Sequence, residues 1–445
     1  MGKYFGTDGF RGEVNVDLTT EQAFLIGKYL GLYLDKTMEH RPKIVIGKDT
    51  RRSGDMLESA IIAGLTSTGA DAFLLGVTTT PSVSYVTRTE DFDLGIMISA
   101  SHNPFYDNGI KLIDWNGKKL NQNLLDEIEV YMDSPRFDIN VKGENIGVVH
   151  DYSKGREHYV NYLSKIPKNK IEGLKIVLDL ANGASSSLAK EVYGKLDINV
   201  SVINDQPDGF NINVECGSTH IQTLQDYVIE NQMDIGFAFD GDADRCIAVD
   251  HTGKEINGDL ILFVVAQYLK ERNNLKDNTL VLTEMSNMGV LDALKQQDLS
   301  LVVTHVGDKN VAKEIHQNNY SLGGEQSGHI IFSEHSTTGD GILTSLMILE
   351  TLMATKTTLH EKVKNVAEYP QVLKNIKVKN KYELLENVEF KNVIKDIQEE
   401  LGKNGRIFIR PSGTEPLIRV MIEAKDTQLV KHYINKAEEI VNSFI

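Results

Sequence analysis

Cysteine and tryptophan are scarce in this sequence of 445 residues, and the 63 acidic residues outnumber the 47 lysines and arginines. The two cysteines, Cys216 and Cys246, cannot form a disulfide framework and lack the C-x-x-C spacing of a redox or zinc motif. The formal net charge is −16 and the charges are interspersed, which argues against nucleic-acid binding. We therefore expect a protein of a reducing compartment, in which local groups hold any anionic ligand.

A long hydrophobic run and a leader segment are also missing. The best apolar stretch, residues 260–269, is far shorter than the roughly 20 residues that span a bilayer. The N-terminus lacks the apolar core of a signal peptide, and Gly6 stands where a myristoylation motif has Ser or Thr. These absences predict a cytoplasmic protein without a membrane anchor.

The composition, with 41% hydrophobic and 25% charged residues, is that of a globular protein. Strand-like apolar runs alternate with helical patterns, which predicts α/β units with parallel or mixed sheets. The predicted strands, each followed by a helical pattern, are residues 43–47, 72–75, 175–180, 234–239 and 279–282. Short polar segments at residues 143–151 and 250–258 would separate three such units, and a helix at residues 341–354 would close the third.

The pattern changes after residue 369, where a small α+β domain is predicted. Its strands would be residues 371–379, 406–410 and 417–423, and its helices residues 381–401 and 427–441. The expected fold is therefore three similar α/β domains with mixed sheets and a smaller C-terminal α+β domain. The predicted domain limits are residues 1–150, 151–252, 253–367 and 368–445.

Three carboxylates, Asp240, Asp242 and Asp244, alternate directly after the predicted strand 234–239. Ligands of open α/β sheets bind at the carboxyl ends of strands, and crowded carboxylates repel one another unless a hard cation lies between them. A Ca²⁺ loop is disfavoured, because Arg245 and His251 stand where that loop has Gly and Glu. The pattern favours Mg²⁺, and a solvated acidic turn is the alternative.

A second polar segment, Ser-Ala-Ser-His-Asn-Pro, follows the apolar residues 94–98 and presents Ser101 and His102. A Ser-His hydrolase is disfavoured, because sequence neighbours seldom point their side chains together and no G-x-S-x-G motif occurs. Local sequence alone favours an ordinary turn slightly over a catalytic hydroxyl.

Two further loops carry groups suited to sugar and phosphate. Residues 323–329 place Glu325, Gln326 and Ser327 between glycines, a set of acceptors and donors that suits sugar hydroxyls as well as it suits a plain turn. Residues 410–416 combine the Arg410 guanidinium with hydroxyls and backbone N–H groups, which favours a phosphate nest over a surface turn. Neither a P-loop nor a G-x-G-x-x-G fingerprint occurs, so phosphate chemistry without a nucleotide remains.

In this order, the four segments resemble the α-D-phosphohexomutase superfamily over essentially the whole chain, and most closely its bacterial phosphoglucosamine mutase family. The resemblance implies three similar α/β domains and a smaller fourth around a central cleft. It also implies interconversion of glucosamine 6-phosphate and glucosamine 1-phosphate through a phosphoserine and a bisphosphate, feeding UDP-N-acetylglucosamine and cell-wall synthesis. The implied cofactors are one Mg²⁺ per chain and a hexose 1,6-bisphosphate as activator and intermediate.

The resemblance also assigns roles to residues. Ser101 would carry the phosphoryl group and contact Mg²⁺, and Arg245 would steady the phosphoserine. The other implied assignments are Asp240, Asp242 and Asp244 as metal ligands, Lys111 and His329 as proton carriers, Arg11, Lys48 and His102 beside the phosphoserine, Glu325, Gln326 and Ser327 in the sugar loop, and Arg410, Ser412, Gly413 and Thr414 in the phosphate loop.

The sequence departs from the phosphoglucosamine mutase pattern at Phe10, where an aliphatic residue is usual, and at Lys309 and Asn310, where Arg-Tyr is usual. A phosphomannomutase/phosphoglucomutase is the first alternative function, and a non-catalytic sugar-phosphate sensor is the second. The expected partner is a small sugar phosphate, with no nucleic acid and no membrane. The oligomeric state stays open, a homodimer being one option.

Overall fold

The computed structural model describes residues 2–135, 141–411 and 416–444. Two compact units are present: Met1–Met285 with Leu299–Val363, and Ser286–Asp298 with Lys364–Ile445. The first unit contains three mixed sheets and the second contains one antiparallel sheet. This is the predicted combination of three α/β domains and a smaller α+β domain.

The N-terminal sheet has seven strands in the order β1-β2-β6-β5-β3-β4-β7. Strand β3 pairs in parallel with β4 and β5, whereas β5 pairs antiparallel with β6. Its elements in chain order are β1 (Phe5–Gly6), β2 (Gly9–Glu13), α1 (Thr20–Thr37), β3 (Lys43–Lys48), α2 (Gly54–Ser67), β4 (Asp71–Val77), α3 (Thr80–Thr89), β5 (Leu94–Ile98), β6 (Asp107–Asp114), α4 (Gln122–Asp133) and β7 (Val149–Asp151).

The second sheet has five strands in the order β12-β11-β10-β8-β9. Strand β10 is parallel to β8 and antiparallel to β11. The elements of this part are α5 (Gly155–Leu163), β8 (Ile176–Asp179), α6 (Ser185–Lys195), β9 (Val200–Ile203), α7 (Gln222–Glu230), β10 (Ile235–Phe239), β11 (Cys246–Asp250) and β12 (Glu255–Ile256).

The third sheet has four strands in the order β14-β13-β15-β16. Strands β14, β13 and β15 are parallel, and β16 is antiparallel to β15. The elements of this part are α8 (Gly258–Glu271), β13 (Thr279–Thr283), α9 (Met288–Gln296), β14 (Ser300–Thr304), α10 (Asp308–Asn318), β15 (Leu322–Gly324), β16 (Ile330–Phe332), α11 (Gly341–Thr355) and α12 (Leu359–Val363). Helix α9 belongs to the second unit.

The second unit is built on an antiparallel sheet in the order β17-β19-β18. The Met288 N–H of α9 donates to Glu423 Oε1 on β19 at 2.7 Å, which ties this helix into the unit. The other elements are β17 (Gln371–Lys377), α13 (Lys381–Glu386), α14 (Val388–Leu401), β18 (Gly405–Pro411), β19 (Leu417–Ala424) and α15 (Thr427–Ser443).

Two predictions of local structure are wrong, and two segments contain strands that were not predicted. No helix follows strand 234–239 directly, because the chain turns back into the antiparallel strand β11. The predicted separators at residues 143–151 and 250–258 contain the edge strands β7 and β12 of the first and second sheets. The predicted helix 381–401 is two helices, because Asn387 caps α14 by accepting the Phe390 N–H at 3.0 Å.

The candidate loops occupy equivalent places in the three mixed sheets. Strands β5, β10 and β15 are each followed by a loop and then by an antiparallel partner, β6, β11 and β16. All residues of these three first strands are buried, as expected for strands with covered faces. A buried strand is a rigid support, so each loop starts from a fixed point in its sheet.

Candidate active site

Ser101 lies in the turn after β5 and is 1% exposed. Its Oγ donates to Asp240 Oδ2 at 2.5 Å and lies 3.3 Å from His102 Nδ1. Its φ of 53° lies in the left-handed region, which costs a serine roughly 1–2 kcal/mol. A non-glycine residue held in this region indicates that its surroundings select the conformation.

The three carboxylates Asp240, Asp242 and Asp244 are buried together after β10, each offering one oxygen within 4.8 Å of the others. Among the described residues, this is the one group of three acidic, His or Cys side chains close enough to hold a metal. Burial raises the pKa of Asp240 well above its usual range, and the two neighbouring carboxylates raise it further. The cluster therefore has an excess of negative charge that favours a cation.

Lys111, on β6, partly offsets this charge. Its Nζ lies 2.6 Å from Asp242 Oδ2 and 3.2 Å from Asp244 Oδ2, and 3.1 Å from Asp8. Burial lowers the pKa of Lys111, but these three carboxylates outweigh it and raise the pKa well above its usual value. Lys111 is therefore charged at neutral pH, and can donate a proton or stabilise an anion.

The donor set fits a hard divalent cation. The Oδ1 atoms of Asp242 and Asp244 are buried and accept no hydrogen bond, although the Oδ2 atoms of the same residues face Lys111. Mg²⁺ is bound by oxygen ligands, and carboxylates with a free oxygen beside the Ser101 hydroxyl provide them. The three carboxylates are thus a candidate divalent-metal site.

His329 lies at the end of the loop between β15 and β16 and is buried. Its Nε2 accepts the Gly339 N–H at 3.0 Å, and its Nδ1 lies 3.7 Å from Asp244 Oδ1. Burial lowers the pKa of His329, but Asp244 and Asp308 outweigh this effect and raise it to about 9. The same Nε2 lies 3.6 Å from Asp308, so a backbone donor and a carboxylate both face this atom.

Basic groups surround the serine side of the cluster. Arg11 pairs with Asp8, and Arg245 Nε lies 3.9 Å from Asp244 Oδ1. The Nε atoms of both arginines are buried without a hydrogen-bond partner, so both can bind an added anion. Burial and the charges of Arg245 and Arg11 lower the pKa of His102 to about 3, which leaves its ring neutral at neutral pH.

The predicted sugar loop is clamped against helix α8. The Gly258 N–H donates to the Gln326 carbonyl at 2.9 Å, and a Cβ on Gly258 would lie 2.0 Å from the Glu325 carbonyl. Glu325 Oε1 accepts the Gly307 N–H at 2.9 Å, while the side chain of Ser327 is exposed. The backbone of the loop is therefore fixed while its polar side chains stay partly accessible.

The remaining predicted residues are Lys48 and those of the phosphate loop. Lys48 pairs with Asp55 at 2.7 Å and with Glu58, both on helix α2. Arg410 lies on β18 in the second unit. Ser412, Gly413 and Thr414 lie outside the described residues.

The residues that depart from the family pattern have clear environments. Phe10 is buried against Tyr4 and Phe5, with ring centroids 5.5 and 5.9 Å away, so an aromatic ring fills the core here. Lys309 Nζ donates to Gln122 Oε1 at 3.0 Å, and Asn310 Nδ2 donates to the Val306 carbonyl at 3.0 Å.

Three polar residues of this site were not predicted. Asp8 lies between Arg11, Lys111 and Lys119, and Lys119 Nζ also lies 2.5 Å from Asp308. The hydroxyl of Thr80, the first residue of α3, donates to Asp242. Asp8 lies in a glycine-flanked segment, which was a weak signal, whereas Thr80 and Lys119 had none because their partners are remote in sequence.

Four family models match the chain in order, together spanning most of it. They are described as phosphoglucomutase/phosphomannomutase α/β/α domain I at residues 2–138, domain II at residues 157–253, domain III at residues 257–369 and the C-terminal domain at residues 373–440. The fold and the site thus define a member of the phosphohexomutase superfamily, which agrees with the sequence-based expectation.

Whole-chain relatives narrow the family. Phosphoglucosamine mutase of Lachnospira eligens is 51% identical over 445 residues, covering 100% of this chain and 99% of the relative. That of Bacillus subtilis is 46% identical over 444 residues, again covering 100% and 99%. The chain belongs to the phosphoglucosamine mutase family, which is a family of isomerases.

Solved structures support the fold. A phosphoglucomutase/phosphomannomutase family protein from Burkholderia thailandensis superposes with a TM-score of 0.83 at 21% identity, covering 99% of this chain and 97% of that one. N-acetylphosphoglucosamine mutase of Aspergillus fumigatus, in complex with GlcNAc-6P and magnesium, gives a TM-score of 0.70 at 19% identity, covering 98% and 95%. None of the described helices is long and apolar enough to cross a membrane.

Proposed function

We propose that this chain interconverts glucosamine 6-phosphate and glucosamine 1-phosphate through a phosphoserine at Ser101. The observation that carries the proposal is the buried Ser101 hydroxyl bonded to Asp240 beside two carboxylates that each keep an unpartnered oxygen. Phosphoryl transfer depends on positioning and charge neutralisation, and this arrangement supplies both.

Two phosphoryl transfers balance the reaction. In the first, O1 of the 6-phosphate bonds to phosphorus and gives its proton to a side-chain base, while the Ser101 Oγ–P bond breaks and Oγ takes up a proton. After the bisphosphate reorients, Ser101 Oγ loses that proton as it bonds to the phosphorus at O6, the O6–P bond breaks, and O6 takes a proton from a side-chain acid. The product is the 1-phosphate, and the phosphoserine is restored.

Two buried residues are our candidates for the proton carriers. Lys111, held charged by three carboxylates, is placed to donate a proton or to stabilise an oxygen anion. His329 is placed to exchange a proton at Nε2, which faces Asp308. We assign Lys111 and His329 to proton transfer at O1 and O6. Either residue can serve either oxygen.

The metal site would be formed by Asp240, Asp242 and Asp244 together with Ser101. Mg²⁺ bound there would neutralise charge on the transferring phosphoryl group. Arg11 and Arg245, whose buried Nε atoms lack partners, would hold phosphoryl oxygens, and neutral His102 would line the same side.

The sugar would be held by the loop between β15 and β16. Glu325, Gln326 and Ser327 offer acceptors and donors on a backbone fixed by Gly258. The assignment of Arg410, Ser412, Gly413 and Thr414 to phosphate binding rests on the family resemblance alone, as does that of Lys48. The same resemblance supports a hexose 1,6-bisphosphate activator, a cytoplasmic location and a product used for UDP-N-acetylglucosamine and cell-wall synthesis.

A phosphomannomutase/phosphoglucomutase activity is the second candidate, because the four matching family models carry that description. The two candidates use the same phosphoserine and differ only in the sugar. A non-catalytic sensor is disfavoured, because sensing needs no buried hydroxyl paired with a triad of carboxylates.

Peptide mass spectrometry of the purified protein tests the phosphoserine. We expect phosphate on Ser101 and not on Ser99, because the Ser99 hydroxyl is buried and donates to Asp49 at 2.6 Å. Ser101→Ala should abolish turnover even when bisphosphate is supplied, while Ser84→Ala, at a buried hydroxyl bonded to the Gly117 carbonyl, should keep a phosphorylated Ser101. Phosphate on Ser99, or normal turnover by Ser101→Ala, would overturn the assignment.

A further inference from the structure

One buried guanidinium holds the turn that carries Ser101. Arg51 follows strand β3, and its side chain is fully buried. Its Nη2 donates to the carbonyls of Ser101 at 2.9 Å and Asn103 at 2.8 Å. The peptide group that follows the serine is therefore fixed from inside the fold.

The remaining donors of Arg51 are also used. Nη1 donates to the Pro104 carbonyl and to the Asp107 carbonyl at 3.0 Å, and Nε donates to Asp49 Oδ2 at 2.9 Å. A guanidinium has five N–H donors in a planar fork, and all five find acceptors here. Four of those acceptors are carbonyls of the segment from Ser101 to Asp107, so the side chain acts as a template for that loop.

The backbone N–H of Ser101 is linked to Arg51 through Asp49 and Ser99. Asp49 Oδ2 accepts the Ser99 hydroxyl at 2.6 Å, and the Ser99 Oγ in turn accepts the Ser101 N–H at 2.9 Å. Both the N–H and the carbonyl of Ser101 thus lead to the Arg51–Asp49 ion pair. Asn213 supplies one more donor to the Ser101 carbonyl, at 2.9 Å.

We propose that Arg51, paired with Asp49, is a positioning residue that holds Ser101 in its left-handed conformation and so aims Oγ for phosphoryl transfer. The inference rests on the proposed function. Serine does not favour a φ of 53°, so the conformation needs external support, and the hydrogen bonds of Arg51 and Ser99 supply it from both sides. Arg51 has no hydrogen bond to the carboxylate triad or the sugar loop among the residues described, so it acts through Ser101.

The test compares two neighbouring arginines. Arg51→Lys keeps the charge but loses the fork, whereas Arg52→Lys is a control, since Arg52 lies over the Phe210 ring at 5.7 Å. A misplaced nucleophile costs about a hundredfold in rate, and we expect a fall of that size in kcat for Arg51→Lys. Its KM for the sugar phosphate should stay within about twofold of the wild-type value, because the substitution leaves the contacts that bind the substrate unchanged. Arg52→Lys should change neither constant.

Hydrogen–deuterium exchange provides a readout that does not depend on turnover. We expect faster exchange of the peptide containing Ser101 in Arg51→Lys than in the wild type or Arg52→Lys. Ser99→Ala, which removes only the hydroxyl between Asp49 and the Ser101 N–H, should show the same two effects more weakly and decides the matter if Arg51→Lys does not fold.

The outcomes separate the inference from the proposed function. The positioning role would be overturned if the Ser101 peptide of Arg51→Lys exchanged deuterium at the wild-type rate. It would also be overturned if this variant had a raised KM and a normal kcat. A wild-type protein that turns over no sugar phosphate would overturn the proposed function, and the exchange comparison would still decide whether Arg51 holds the turn.

Discussion

At the residue scale, Asp242 and Asp244 each present two different oxygens. One oxygen of each faces the Lys111 ammonium at 2.6 or 3.2 Å, and the other is buried without a hydrogen bond. An unsatisfied buried carboxylate oxygen is costly, so its retention beside a reactive hydroxyl points to a bound cation. Lys111 also lies 3.1 Å from Asp8, so its charge is shared among three carboxylates.

Replacing Asp242 by Asn tests the cation. We expect kcat to fall by about two orders of magnitude, the size of effect seen when one electrostatic group that stabilises a transition state is removed. Metal binding, followed by isothermal titration with Mg²⁺, should weaken in parallel. The control is Asp234→Asn. Asp234 lies directly before strand β10, and its carboxylate accepts the Lys175 N–H at 2.7 Å. Normal activity of Asp242→Asn in excess chelator would contradict the metal role.

The residues that could be predicted are those whose chemistry is visible within a few positions. Ser101 and the three aspartates each follow an apolar run, and the structure places them together. Arg51, Thr80 and Lys119 contact Ser101, Asp242 and Asp308, which lie 50, 162 and 189 positions away, so local sequence gave no reason to connect them. Long-range contacts of this kind need the strand order, which periodicity does not provide.

At the scale of the elements, helix α11 begins at a buried acid. Asp340 Oδ1 accepts the Leu343 N–H at 2.9 Å and Oδ2 accepts the Tyr159 hydroxyl at 2.8 Å. Burial raises the pKa of Asp340 to about 6. Because this pKa is higher than the unfolded value of about 3.9, the folded protein binds more protons between those values, and stability falls as the pH rises through this window.

Asp340→Asn should remove that pH dependence and keep the cap, because Asn is as good an N-cap as Asp. The stability of the variant relative to the wild type should rise by about 2 kcal/mol when the pH is raised from about 4.5 to about 7.5. Urea unfolding of both proteins at the two pH values measures the change. An equal difference between the proteins at both pH values would contradict the raised pKa.

The loop between β15 and β16 governs the choice of sugar in our proposal. The amide of Gln326 offers hydrogen bonds that the thioether of a Met lacks. An unpaired buried polar group costs roughly 1–3 kcal/mol, which corresponds to about ten- to hundredfold discrimination. Gln326→Met should therefore narrow the preference for glucosamine 6-phosphate over glucose 6-phosphate.

The measurement is the ratio of kcat/KM values for these two sugars. Gln296→Met, at the exposed end of helix α9, is the matched control and should leave the ratio unchanged. A ratio that is the same in Gln326→Met and in the wild type would exclude this side chain from sugar selection.

The type of an element could be predicted where its apolar pattern was long. The type of element that follows a loop could not be predicted. The strand at residues 234–239 was expected to lead into a helix, but the acidic loop returns as β11. A turn of either kind has the same local composition, so only the pairing of Phe239 with Cys246 distinguishes them. Asn387 similarly divides one apolar pattern into two helices, because its side chain caps the second.

At the scale of the whole molecule, three mixed sheets present a loop at the same structural position. The strand pairs β5–β6, β10–β11 and β15–β16 support the Ser101 loop, the acidic loop and the sugar loop respectively. The fold is shared with a Burkholderia thailandensis protein of only 21% identity, so architecture alone does not determine the sugar. Substrate choice has to come from the side chains that these loops present.

The measurement that tests the central claim most directly is turnover of three sugar phosphates by the wild-type protein. The substrates are glucosamine, glucose and mannose 6-phosphates, each supplied with Mg²⁺ and a catalytic amount of hexose 1,6-bisphosphate, and Ser101→Ala is the blank. We predict the highest kcat/KM for glucosamine 6-phosphate and no turnover by Ser101→Ala. A preference for glucose or mannose 6-phosphate, or full activity without the Ser101 hydroxyl, would contradict the proposed function.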